Sequence, residues 1–253
     1  MGIDIGSFRN DDAQAITIGN YANEMTALYV CQTPGIDPPF FRDEAVSNGV
    51  GPVTRIQLTF GILFGDFDMD SRLDILSCNG HLEADIQAVQ SSQNYRQSPQ
   101  LLWNCGQDYD TEFVPLEEAS LTGDFTKPMV GRGAARADID GDGDLDLLLF
   151  SAGEAPRLLR NDQATGNHWL RIIVRRKNNV SPIGTTVRLT LEDGQTLTRT
   201  VMPTCSYQSQ SELPLSFGLG QQPKIASAEV ILPGEQPKPF DIEGLDRVLE
   251  LEL

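Results

Sequence analysis

Asp138, Asp140, Asp142, Asp144 and Asp146 place a carboxylate at every second position of a nine-residue stretch, with Gly141 and Gly143 interleaved and the apolar run Leu147 to Phe150 following at once. Carboxylates this close repel one another unless a cation lies between them, and a hard divalent ion that takes about 6–8 oxygen ligands is the natural partner. The glycines let the chain curl tightly enough to aim alternate side chains inward. This chemistry predicts a calcium loop in which the side chains of Asp138, Asp140, Asp142 and Asp146 and the backbone carbonyl of Asp144 supply oxygens. A helix-flanked calcium loop would need a bidentate Glu at about its twelfth position, where Leu149 stands in a strand-like run. The loop is therefore expected between two strands.

A solvated acidic turn is the bland alternative, since Asp and Gly are common in turns. Recurrence argues against it. Asp66, Asp68, Asp70 and Asp74 repeat the spacing seventy-two residues upstream, again ahead of an apolar pair, Ile75-Leu76. Ser71 stands where the later copy has Gly143, and Arg72 stands where it has Asp144, a position that needs to offer only its carbonyl. A second calcium site is expected here. A third copy starts at Gly6, but Ser7, Arg9 and Ala15 occupy its first, third and ninth positions. It is expected to keep the hairpin and to have lost the metal, with the Arg9 guanidinium pointing where the ion would be.

The elements that hold these loops repeat as well. Strands are expected after each loop over residues 15–18, 73–77 and 145–150, then over 27–31, 101–105 and 157–161, and in the first two copies over 40–44 and 112–117. A unit of about four short strands that buries its faces by stacking on neighbours is a propeller blade. The fold class is thus all-β, with about three blades over residues 1–165 (about 1–50, 51–125 and 126–165). Closed propellers need about 4–8 blades. Met1 stands directly against the first copy with no lead-in strand, so further blades are expected upstream and the chain is expected to be a fragment. Residues 1–160 carry 10 Lys and Arg against 25 Asp and Glu, whereas residues 161–253 carry 9 against 11, so the acidity belongs to the repeats. Residues 166–253 alternate as strands separated by turns such as Glu192-Asp193-Gly194 and Pro233-Gly234, as a β-sandwich-like domain would.

These residues also carry a family resemblance. The loops at Asp66 and Asp138, with Gly131-Arg132-Gly133-Ala134-Ala135 leading into the second, resemble FG-GAP (VCBS-type) repeats. Asn167-His168-Trp169-Leu170, Ile183-Gly184, Tyr207-Gln208-Ser209-Gln210 and Phe217-Gly218-Leu219-Gly220 resemble the ASPIC/UnbV domain. The combination is similar to the C-terminal part of the cartilage acidic protein-like family. The resemblance implies an integrin-alpha-like β-propeller with calcium loops and an ASPIC/UnbV β-domain beside it. It also implies a secreted or cell-surface setting and a part in adhesion or matrix interaction.

Other chemistry finds little material. There are two histidines, His81 and His168, far apart in sequence, too few for a zinc site of His₃ or His₂Glu type. No nucleophile elbow, Cys-x-x-Cys, His-Glu-x-x-His or phosphate loop is present. An enzyme would need a site between the domains, with Glu83, Asp85 or Glu112 close to His81, and would be a metal-dependent hydrolase or carbohydrate-active enzyme. A net charge of −17 disfavours nucleic acid. Arg171, Arg175, Arg176 and Lys177 are expected on a solvated sheet face, or else against an acidic glycan or another domain's acidic face. No apolar run approaches the roughly 20 residues of a membrane helix. Cys31, Cys78, Cys105 and Cys205 are expected as buried free thiols, with a Cys78–Cys105 bridge the alternative. The reading is a non-catalytic calcium-binding module outside the cytosol, extracellular, periplasmic or at a cell surface. It would bind a protein or glycan ligand.

Overall fold

A computed structural model describes residues 1–162 and 165–253. The chain is all-β, and its longest described helix is the five-residue α1 (Val50–Thr54). Strands β1 (Ile3–Gly6), β2 (Ala15–Ile18), β3 (Ala27–Cys31) and β4 (Phe41–Asp43) form the first antiparallel meander. β5 (Thr59–Gly65), β6 (Asp74–Asn79), β7 (Gln100–Asn104) and β8 (Phe113–Pro115) form the second, and β9 (Gly131–Ala137), β10 (Asp146–Ser151) and β11 (Arg157–Leu159) the third. The first copy does have a lead-in strand, β1, which corrects the expectation that none precedes it. Ile3 and Ile5 alternate with Asp4 along it, a period-2 pattern too short to register against the composition around it.

The meanders stack as propeller blades with their first strands innermost, β1 against β5 and β5 against β9. Alternation in β5 and β6 explains the stacking. Ile62, Phe64 and Ile75 join Phe8, Leu28, Val30 and Val50 in one core between the first two blades. Leu63, Leu76 and Cys78 point the other way into a second core with Met129, Ala134, Leu147 and Leu149. Both faces of the middle blade are thus buried, and its strands read as continuous apolar runs.

The rest of the chain is a two-sheet sandwich. β12 (His168–Arg175) lies between β17 (Leu215–Gly220) and β20 (Arg247–Glu252), the latter in parallel. The facing sheet runs β14 (Thr196–Thr200), β13 (Thr186–Leu191), β18 (Ile225–Ile231), β19 (Lys238–Pro239). Leu170, Ile172, Val187, Leu189, Leu197, Phe217 and Val230 fill a core of its own between them. A small hairpin, β15 (Thr204–Cys205) and β16 (Ser209–Gln210), leaves this sandwich and enters the blade stack at its axis. There Ser206 bridges to Ile3 of β1, the Ser206 hydroxyl accepts from the Ile62 backbone, and the Tyr207 ring packs on Phe60.

All four cysteines are buried free thiols, so Cys78 and Cys105 form no bridge. Burial pushes the Cys78 thiol up to about 12. Cys31 and Cys105 both follow the third strand's core residues, but they occupy different positions in successive blades. Ala15 pairs with Val30 and Ile75 with Leu102, which aligns Cys31 with Asn104 instead.

Candidate metal loops at the domain joint

The three loops share one backbone shape. Each connects an inner strand to the next, closing between Gly6 and Ala15, between Gly65 and Asp74, and between Ala137 and Asp146. The fourth position is left-handed in all three, at Asn10 (φ 55°), Met69 (φ 59°) and Gly141 (φ 83°), and the sixth in two, at Ser71 (φ 85°) and Gly143 (φ 103°). Ser71 therefore keeps the fold of the glycine it stands in for, at the roughly 1 kcal/mol that a left-handed non-glycine residue costs.

The ninth-position carboxylates close the loops. Asp74 accepts from the backbone N–H groups of Phe67 at 3.1 Å and Asn104 at 2.9 Å, and Asp146 accepts from Ile139 and Asn161, both at 2.8 Å. The third-position carboxylates each meet a donor from equivalent strand positions: Trp103 Nε1 lies 2.9 Å from Asp68 Oδ2, and Arg160 Nη1 lies 3.6 Å from Asp140 Oδ2. Oxygens of Asp66, Asp68 and Asp70 converge to within 4.8 Å of one another, as do those of Asp138, Asp140 and Asp146. These are the two acidic groups, among the described residues, that could hold a metal ion. Asp74, Asp142 and Asp144 lie outside the converging sets. Asp144 is buried, and the Asp142 carboxylate accepts from its backbone N–H. The Arg72 side chain is ion-paired to Asp70 and donates to the Asn104 carbonyl.

The Asp66 set fits a cation. Asp66 is 4% exposed, and its Oδ1 is a buried oxygen without a hydrogen-bond partner. Such an atom costs about 1–3 kcal/mol unless something pairs with it. Burial, with the charge of neighbouring Asp70 second, pushes Asp66 up to about 8, and burial likewise pushes Asp70 to about 6 and Asp74 well above the usual carboxylate range. Burial also raises Asp146. A cation among them would offset the like-charge part of these shifts, and its binding would have to displace any proton they hold.

In the first copy the charge is inverted. Arg9, at the third position, turns out of the loop rather than into the ion's place. Its guanidinium is held by Glu112 at 2.8 Å and Glu44 at 2.8 Å, which ties the first blade to the second. Glu112 stands next to β8, at the loop end of the second blade, whereas His81 follows Asn79 at the opposite end of the same sheet. Of the three carboxylates named beside His81 for an enzyme, Glu112 is thus separated from it by the length of β6, whereas Glu83 and Asp85 follow it closely in the chain. His81 instead accepts from the Glu83 backbone, and His168 pairs with Asp246 at 2.7 Å.

All three loops face the sandwich, which the sequence reading did not foresee. The Asn10 and Met69 carbonyls accept from the backbone N–H groups of Thr196 at 2.8 Å and Gly220 at 2.9 Å. Gly218 of β17 lies so close to the second loop that an added Cβ would overlap Asp66 Oδ2 and Met69 Cα, and at Gly143 an added Cβ would overlap the Trp169 ring. Two arginines accompany this contact. Arg171, at 7% exposure, pairs with Glu212 at 2.6 Å and lies 3.3 Å from Asp138 Oδ2, so it is not on a solvated face. The outer face of β12 at Arg171 is covered by the third blade's loop, whereas Arg175 is in an exposed pair with Glu250 and Lys177, just past the strand, is exposed too. Arg199 is half-buried over the Phe217 ring and reaches the Ser71 carbonyl at 3.4 Å, and desolvation lowers it to about 10 against the pull of Asp66. No spacing in the sequence announces either arginine, because each lies far along the chain from the loop it serves.

Fold and loops together define a class: propeller blades carrying acidic hairpin loops, with a β-sandwich seated on the loop side. Residues 175–252 match the family profile described as ASPIC and UnbV. The C-terminal module belongs to that family, and the chain as a whole is similar to cartilage acidic protein 1. Identity to the protein of that name from Xenopus tropicalis is 28% over 236 residues, covering 92% of this chain and 33% of the relative. The mouse protein is 30% identical over 143 residues, covering 54% and 22%, and the human protein 32% over 123 residues, covering 47% and 18%. The chain spans about a third or less of these relatives. No described helix is long and apolar enough to cross a membrane.

Proposed function

We propose that the chain is a non-catalytic, extracellular binding module of FG-GAP type in which calcium, held by the Asp66 and Asp138 loops, fixes the blades and the joint with the ASPIC/UnbV domain. The observation that carries this reading is the buried, unpartnered Asp66 Oδ1 among converging carboxylates. An all-oxygen donor set favours a hard cation, and calcium, abundant outside cells, tolerates the irregular geometry of a nine-residue loop. Calcium that binds only the native loops stabilises the fold by mass action, about 2.7 kcal/mol per site at a hundredfold excess over Kd. Loop carboxylates engaged by a cation make poor proton acceptors, which supports a role in recognition of a protein or glycan rather than in turnover. The relatives' name, cartilage acidic protein, agrees with an extracellular setting.

Thermal unfolding tests this. Calcium should raise the melting temperature by about 5 °C or more, and Asp140→Ala with Asp142→Ala should remove much of the gain. An equal gain in the double variant would contradict the assignment.

A further inference from the structure

The two acidic loops differ in access. In the third blade, Asp138 lies under Arg171 and Asp146 is buried, but Ile139, Asp140, Gly141 and Asp142 are exposed and leave one side of the loop open. In the second, Asp66, Met69 and Ser71 are buried, and what covers them is the C-terminal sandwich. The Gly218 backbone lies on Asp66, the Gly220 N–H is bonded to the Met69 carbonyl at 2.9 Å, and the Asn167 side-chain amide donates to the Asp68 carbonyl at 2.8 Å. A cleft between loop and sandwich, lined by Asp70, Arg72, Glu192, Asp193 and Lys224, leads toward the site. Its blade-side carboxylate, Asp70, is engaged by the Arg72 guanidinium.

We propose that the sandwich retains the cation of the Asp66 loop: release of that ion is limited by the lifting of β17 from the loop, whereas an ion in the Asp138 loop faces solvent on its Asp140–Asp142 side. This rests on the cation reading of the loops and adds a function for the joint. The domain contact becomes a latch, and its opening free energy adds to the barrier for release, as local opening does for any buried group. Bound cation in turn holds the joint shut, because linkage is reciprocal.

The chain supplies its own reporters. It has two tryptophans, one at each loop: Trp103 on Asp68 and Trp169 against Gly143. Terbium, which occupies calcium sites and is excited through nearby indoles, is the probe. Trp169→Phe leaves Trp103 to report the Asp66 loop, and Trp103→Phe leaves Trp169 to report the Asp138 loop. Mixed with excess chelator, the Trp103 signal should decay at least about tenfold more slowly than the Trp169 signal, the equivalent of about 1.4 kcal/mol of opening. Gly218→Val, whose side chain has no room against Asp66, should bring the slow decay to the fast rate. Asn167→Ala, which removes a bond without a clash, should accelerate it in the same direction and serves if the valine variant does not fold. Equal rates at the two loops, or a slow decay untouched in a folded variant, would overturn the latch while leaving the cation sites standing. No Trp103-sensitised signal on loading would refute the Asp66 site and the latch with it.

Discussion

Glu44 is paired on three sides: Arg42 donates at 2.7 Å, Arg9 at 2.8 Å and Gln32 at 2.9 Å. Burial alone would raise its pKa, but the bonds from Arg42 and Arg9 outweigh that and hold it at about 2, below the ordinary 4.5. Because the folded value is the lower one, the carboxylate's contribution to stability is full above about pH 4.5 and is lost as pH falls toward about 2. The stability difference between the wild type and Glu44→Gln should therefore shrink over that window, as followed by urea unfolding at successive pH values. A difference that stays constant would show that Glu44 is not held by these charges. The loop carboxylates were legible as a set because chemistry alone demands their spacing. Glu44 and its partner Arg9 were not, since a lost metal site gives no hint of which distant carboxylates inherit its arginine.

Repeats made the strands readable, and the structure adds what joins one blade to the next. Asn104, at the end of β7, sends its side-chain amide to the Phe8 carbonyl at 2.9 Å and the Leu73 carbonyl at 3.1 Å, and Asn161, its equivalent, reaches Phe67 at 2.7 Å. Each asparagine thus ties its blade to the second position of the preceding loop. Asn104→Ala would leave two buried carbonyls without this donor, and the loss should be about 1–3 kcal/mol by chemical denaturation; a change within about 0.5 kcal/mol, as at an ordinary surface site, would contradict the link. The joint between blades and sandwich was illegible for a related reason. Period-2 patterns assign a face to each strand residue, but they do not say that the outer face of β12 is covered by another domain, so Arg171 reads as solvated until the loop against it is seen.

The blade stack has two open faces. Ile3 and Ile5 are 47% and 57% exposed on the first blade, and Phe150 and Leu158 are 44% and 60% exposed on the third. Where the second positions Phe8 and Phe67 are buried under a following blade, Ile139 of the third loop is 51% exposed. Apolar faces of this kind call for a neighbour, and with the chain spanning a third or less of its relatives, further blades are the proposed one. The isolated chain should self-associate in sedimentation experiments, and Ile5→Lys with Phe150→Lys should return it to a monomer; a monomeric wild type would contradict this. Across the molecule, the acidic hairpins are both the first turn of each blade and the seat of the sandwich. In the proposed function, that dual role casts calcium as a clip for the whole assembly rather than a participant in a reaction. The most direct test is the calcium content of the chain after equilibrium dialysis against millimolar calcium. The account predicts two ions per wild-type chain, one in Asp68→Asn with Asp70→Asn, and one in Asp138→Asn with Asp140→Asn. A wild type that retains none, or variants that retain as many as the wild type, would contradict it.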